Sequence, residues 1–304
     1  MKIIAICGGT GLLGRAIAKR LTLKGFQVRL ITRSKQASSP YPQFVWNPSK
    51  GQLEPAALKG IDGLIQLSGE SIAKHRWTPA IKARLYQSRV DTTRFIVEQV
   101  NALQVKPKVF LSVSGLGIYG NRPGEILNES SEPGKPSFLV DLCKDWEQPL
   151  SNLSPEVRKA IVRTGLVLST EDGILKEFLL PSKLGIAPVF GSGKQIYSWI
   201  HMDDLAELFY WLVESEGASG VYHATSPGPV TQREFVHILA GINGPFSLQI
   251  PIPRIALKVF LGELSEDLFA SQWAMPVKAF KEGFVFKFPS IKEALEDLLQ
   301  KKSR

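Results

Sequence analysis

The first 32 residues constrain the fold more than any other stretch of this chain. Lys2-Ile3-Ile4-Ala5-Ile6-Cys7 is a short apolar run, the pattern of a strand buried on both faces. Gly8-Gly9-Thr10-Gly11-Leu12-Leu13-Gly14 follows at once. Ile17, Ala18, Leu21 and Leu23 then recur at roughly helical spacing, and Lys24-Gly25 closes the helix. Residues 27–32 read as a second strand. Strand, glycine turn, helix and strand make a βαβ unit. In such a unit Gly8 permits the tight turn. Gly11 leaves room for a pyrophosphate at the backbone, and Gly14 lets the helix approach the sheet. The N–H groups of Leu12 and Leu13, with Thr10 beside them, then face the phosphates from the helix N-terminus.

The end of the second strand selects between dinucleotides. An acidic residue there would bind the ribose 2′-OH of NAD. This chain has Thr32-Arg33-Ser34-Lys35 instead. An arginine suits a 2′-phosphate, and hydroxyls flank it, so NADP (NADPH) is expected over NAD(H). The net charge of +9 agrees with an anionic ligand. The positive residues are dispersed apart from the tail Lys301-Lys302-Ser303-Arg304, so nucleic acid is not an expected partner.

A length of 304 residues fits one large domain or a main domain with a lesser partner. No apolar run approaches the ~18 residues of a membrane span, and no cleavage site follows the first run, so neither a membrane anchor nor a signal peptide is expected. Two cysteines, Cys7 and Cys143, and four histidines are too few for a disulfide framework or a zinc site. A reducing, cytoplasmic setting is expected.

Further strands are expected at residues 61–67, 107–115 and 160–168, alternating with helices. A long amphipathic helix is expected to open at Ser88, with Thr93, Ile96, Val97, Val100 and Leu103 on one face. After residue 226 prolines, Pro245 among them, are expected to break the chain into short helices and loops. The expected class is α/β: a Rossmann, doubly wound parallel sheet with a smaller, mostly C-terminal substrate subdomain. The expected division is 1–168 and 196–225 for the NADP-binding domain, 169–195 and 226–304 for the substrate subdomain.

These motifs resemble the extended short-chain dehydrogenase/reductase superfamily, whose glycine turn is GxxGxxG. Leu67-Ser68-Gly69 resembles its small-residue segment beside the adenosine ribose. Residues 107–120, ending Ser114-Gly115-Leu116-Gly117-Ile118-Tyr119-Gly120, resemble its S-S-x-x-x-Y-G stretch. By the same resemblance, Ser112, Val167 and Arg89 fall at cofactor positions, with Arg84 a weaker candidate. Trp199-Ile200-His201-Met202-Asp203-Asp204 is similar to a segment in which an aspartate caps a helix, so Asp203 or Asp204 is expected as that cap.

The superfamily's reaction uses a tyrosine with a lysine four residues on. None of the six tyrosines here has a lysine at that position. If Glu147 matches the family's glutamate, Leu139 and Cys143 stand in the two places; a shift of one brings Lys144 into place and leaves Val140 for the tyrosine. Ser114, Tyr119 and Lys144 are the remaining catalytic candidates, with Tyr197, His201 and Glu70 as further proton-transfer groups. Gly191-Ser192-Gly193 fits a lid or a tight turn. Trp46, Trp77 and Trp146 read as packing residues.

With Gly283-Phe284 before the last helix, the chain is similar over nearly its whole length to the atypical, epimerase-like branch that carries a small C-terminal domain of unknown function. The resemblance implies an NADP(H)-binding, epimerase-like oxidoreductase acting on a small molecule. A non-catalytic NADP(H)-binding redox sensor or regulatory protein is the alternative. The superfamily often dimerises beside its active site, and a homodimer is open to this chain.

Overall fold

The computed structural model describes residues 1–244 and 248–302. Pro245 and the tail residues Ser303 and Arg304 lie outside the described residues. The main sheet has eight strands. Its order runs Gly220–Ala224, Arg158–Thr164, Val109–Gly115, Gly63–Gln66, Ile3–Cys7, Gln27–Thr32, Gln43–Asn47, Gln52–Leu53. Every pairing is parallel except the last.

The sheet is covered on both faces. Ile4 and Ile6 join one apolar cluster with Ile17, Leu21, Leu205 and Phe209. Ala5 and Cys7 join another with Phe95, Ile96 and Val100. That alternation is why the first strand is apolar at every position. The winding reverses at Ile3–Cys7, which sends Gln27–Thr32 to one side and Gly63–Gln66 to the other. A crevice at the carboxyl ends of these strands is the usual ligand site of an open α/β sheet.

Several elements differ from the sequence expectation. The helix expected at Ser88 starts earlier, at Pro79, capped by the Thr78 hydroxyl, which accepts from the Ile81 N–H. It passes through a π-helical turn at Gln87–Asp91 and continues as Thr92–Asn101. One wide turn inserts an extra residue and re-aims the side chains around it. The strand expected over 160–168 is two strands. Gly165 separates them because a Cβ there would stand 2.3 Å from the Ser198 carbonyl oxygen. The second piece, Leu166–Leu168, leaves the main sheet and pairs in parallel with Trp199–His201.

The segment after residue 226 is more regular than expected. It holds 12-residue helices at Gln232–Asn243 and Ile291–Lys302. Its strand Leu248–Ile252 pairs with Ile186–Phe190. Phe235, Leu239, Leu295 and Leu298 pack with Leu175, Phe178 and Trp199 in a cluster of their own.

Asp204 is anchored rather than capping. Its two carboxylate oxygens accept from the Lys287 and Phe288 N–H groups, both at 2.9 Å, tying the C-terminal segment to the helix Met202–Glu214. The cap of the helix Met202–Glu214 is His201, whose Nδ1 accepts from the Asp203 N–H. An imidazole nitrogen placed before the first turn does what a carboxylate would do there. No described helix is long and apolar enough to cross a membrane.

Candidate functional site

Two clefts meet at the switch point. The first, about 350 Å³, is lined by the glycine turn from Gly8 to Gly14, by Thr32-Arg33 and by Leu67-Ser68-Gly69. Gly8 has φ +75°, open to glycine at little cost, and a Cβ there would lie 3.0 Å from the Ser68 N. A Cβ at Gly14 would stand 2.5 Å from the Gly9 Cα, so the helix Leu12–Leu23 sits against the turn. Gly11 is the N-cap of this helix and makes no side-chain cap bond, and the first turn holds no acidic residue. The helix N-terminus therefore offers its N–H groups and positive dipole end to the cleft. Arg33 is exposed at the rim. Lys35 is turned away to Glu54. Trp46, packed on Phe95, also forms part of the wall.

The second cleft, about 400 Å³, shares Leu13, Leu67, Gly69 and Glu70 with the first. Ser114 lines it from the strand Val109–Gly115, Leu139, Cys143 and Trp146 from the helix Phe138–Glu147, and Asp267 and Leu268 from the C-terminal segment. The Ser114 hydroxyl and the Trp146 indole nitrogen are buried and have no hydrogen-bond partner, as does the Ser68 hydroxyl at the first cleft. Buried polar groups are normally paired, so two such groups at the second cleft and a third at the adjoining one point to a ligand.

Arg89, 8% exposed, reaches this cleft from the π turn. Its guanidinium donates to the Glu70 carbonyl at 2.7 Å and the Leu85 carbonyl at 3.3 Å, and lies 5.1 Å from the Trp146 ring centroid. Burial without a carboxylate contact pulls its pKa down to about 10. Arg84 is not directed at the cleft: its guanidinium grips the Glu70 carboxylate.

Several candidates are not brought to either cleft. The Ser112 hydroxyl is buried within its strand, and Val167 pairs with Ile200. Ser34 is exposed outside the wall, its carbonyl accepting from Thr32 Oγ1. Lys144 points to solvent, because Leu139 and Cys143 take the inward face of the helix Phe138–Glu147. This corrects Lys144 as a catalytic candidate, since residues one apart on a helix do not share a face.

Tyr119 is corrected too. It is fully buried outside the cleft and held in a chain of bonds. Arg163 donates to its oxygen at 2.7 Å and binds both Glu147 oxygens, at 2.8 and 2.7 Å. His223 Nε2 lies 2.7 Å from the same phenol oxygen, and His223 Nδ1 donates to the Met275 carbonyl. Burial raises the Tyr119 pKa.

Tyr197 lines the cleft, but its hydroxyl donates to the Leu268 carbonyl and burial raises its pKa. His201 stacks on Phe288, with Nδ1 in the cap and Nε2 3.2 Å from Asp297. His201, Asp203 and Asp297 lie close enough to hold a metal ion. Both ring nitrogens are thus already engaged. Gly191-Ser192-Gly193 is a tight turn: both glycines have positive φ and the Gly193 N–H donates to the Phe190 carbonyl.

Burial, aided by the Arg163 charge, lowers the His223 pKa to about 4. The unfolded chain binds this proton near pH 6.5, so the stabilisation is complete above 6.5 and is lost as pH falls toward 4. Urea unfolding from pH 7 to 4 should show a loss of about 3 kcal/mol in the wild type beyond that in His223→Gln. Equal slopes would refute the assignment.

Asp267 escaped the sequence reading. No spacing ties it to the glycine turn, and only the folded C-terminal segment brings it to the cleft.

The parallel sheet, the uncapped helix at a glycine turn and the apolar second cleft define a dinucleotide-binding α/β protein of Rossmann type. The comparisons agree. The model of the NAD dependent epimerase/dehydratase family matches residues 4–143, and that of a domain of unknown function (DUF1731) matches 252–298. An epimerase family protein SDR39U1 homolog from Arabidopsis thaliana, described as chloroplastic, is 31% identical, covering 98% of this chain and 86% of that protein. Epimerase family protein SAR0825 of Staphylococcus aureus is 33% identical over 99% of this chain and 100% of its own. The crystal structure of human epimerase family protein SDR39U1 with NADPH superposes with a TM-score of 0.90 at 26% identity, covering 98% of this chain and 99% of that one. The chain belongs to the epimerase family of these relatives, and its C-terminal segment matches the domain of unknown function.

Proposed function

We propose that the protein is an NADP(H)-dependent, epimerase-like oxidoreductase acting on a small molecule in the second cleft. The observation that carries this reading is Arg33. It stands at the rim of the glycine-turn cleft, at the strand end where an NAD site would hold an acid. The human relative was crystallised with NADPH, which supports the same cofactor here.

The residues present fit that group. The uncapped helix end and Gly11 suit the pyrophosphate, Ser68 offers an unpaired hydroxyl beside the adenosine, and Arg33 suits the 2′-phosphate. The bound nicotinamide would supply hydride transfer. The chain's own residues would orient the substrate: Arg89 and Trp146 from one wall, Ser114 as hydrogen-bond donor, and Leu139 and Cys143 as an apolar floor that excludes water. We assign residues 1–168 and 196–225 to cofactor binding and 169–195 and 226–304 to the substrate side. The free, buried Cys7 and Cys143 suit a reducing cytoplasm.

Calorimetric titration tests the reading. NADPH should bind at least tenfold tighter than NADH, and Arg33→Ala should abolish that difference, about 1.4 kcal/mol. Equal affinity of the two cofactors for the wild type would overturn the NADP assignment.

Leu139 and Cys143 in place of the tyrosine and lysine favour a second reading, a non-catalytic NADP(H) sensor. A sensor needs a partner whose affinity differs between the two cofactor states. A pull-down unchanged between NADPH and NADP would remove it.

A further inference from the structure

We propose that Asp267 is the proton donor and acceptor of this cleft, taking over from the C-terminal segment the task that Leu139 and Cys143 cannot perform. The inference rests on the reading of the cleft as a nicotinamide site. Asp267 lies on the short helix Leu264–Leu268 and lines the same cavity as Ser114, Leu139 and Cys143. Cys143 and Tyr197 wall the same cavity from two other elements.

The other titratable groups of the cleft are committed elsewhere. Glu70 is paired with Arg84, and Arg89 is bonded to backbone carbonyls. Burial pushes the Cys143 thiol up to about 12, and the Tyr197 hydroxyl is spent on Leu268. On its own segment, Glu263 pairs with Lys82 and Glu266 is exposed. No hydrogen bond or ion pair engages the Asp267 carboxylate among the described residues. Burial alone raises its pKa to about 6. A group that titrates near neutral pH can both give and take a proton, which is what a general acid/base requires.

The step balances. As a hydride arrives at a substrate carbonyl carbon from the reduced cofactor, Asp267 transfers its carboxyl proton to the carbonyl oxygen. The products are the alcohol, the oxidised cofactor and the Asp267 carboxylate, which is reprotonated from water. In reverse, the carboxylate takes the hydroxyl proton while the hydride leaves carbon. Ser114 offers a second donor to the same oxygen.

The test needs no substrate. The oxidised nicotinamide ring carries a positive charge that the reduced ring lacks, so a nearby carboxylate favours NADP over NADPH only when ionised. The ratio of the two dissociation constants cancels the ionisation of their shared phosphates. From pH 5 to pH 7.5 this ratio should move about tenfold in favour of NADP in the wild type. It should stay flat in Asp267→Asn, a variant of the same shape. A flat ratio in the wild type, or an unchanged slope in Asp267→Asn, would overturn the proposal while leaving NADP(H) binding intact. Failure of both cofactors to bind would overturn the reading beneath it.

Discussion

Alanine at Gly14 is expected to abolish dinucleotide binding and to destabilise the fold together. The added Cβ would meet only backbone: the Gly9 Cα at 2.5 Å, the Gly8 carbonyl oxygen at 2.6 Å and the Gly9 carbonyl carbon at 2.7 Å. Backbone of a tight turn cannot swing aside as a side chain can. The helix must back away from the strand end, which opens the interface around Ile17 and Leu21 and moves the N–H groups that face the cleft. Forced overpacking costs about 1–3 kcal/mol, occasionally more. A displacement of the helix end should weaken NADPH by more than 100-fold. Gly11→Ala is the control. Its Cβ would meet a single atom, the Gly8 carbonyl oxygen, at 3.3 Å, and otherwise open space in the cleft. This variant should unfold in urea within about 1 kcal/mol of the wild type yet lose most of its NADPH affinity. Equal losses of stability in the two variants would show that both glycines serve the fold.

The second large effect is expected at Arg163. Its side chain and that of Glu147 are 9% and 12% exposed and form a two-armed ion pair that also holds the Tyr119 phenol. Arg163→Met leaves the Glu147 carboxylate nearly buried with no cation. Removing one partner of a buried pair costs about 3–5 kcal/mol, whereas replacing both costs far less. Glu147→Gln combined with Arg163→Met should therefore be more stable than Arg163→Met alone. Urea unfolding of the four proteins gives the coupling directly. The pair also fixes the helix Phe138–Glu147, so Arg163→Met should loosen the wall formed by Leu139 and Cys143. Additive losses in the double variant would contradict the assignment.

What the sequence revealed depended on how local the signal was. The glycine turn was legible because its causes lie within one βαβ unit. The register of the helix Phe138–Glu147 was not legible: the sequence left Leu139 with Cys143 and Val140 with Lys144 both open, and only the fold shows Leu139 and Cys143 lining the second cleft with Lys144 exposed. The π turn at Gln87–Asp91 was not legible, since one extra residue leaves the apolar pattern after it intact. Nor was the break at Gly165, whose cause is the Ser198 carbonyl more than thirty residues on. The cap at His201 was misassigned because neighbouring aspartates fit the usual cap chemistry better. Their true use, Asp204 holding Lys287 and Phe288, depends on chain over eighty residues away. Asp267 in the cleft is the extreme case, a long-range placement without a periodic trace.

Crystallography of the protein grown with NADPH tests the central claim most directly. The account predicts one continuous cofactor through both clefts. Its 2′-phosphate should lie on Arg33, its pyrophosphate over Gly11, and its nicotinamide in the cavity between Leu139, Cys143 and Asp267. Density for the cofactor elsewhere, or a 2′-phosphate turned away from Arg33, would contradict it.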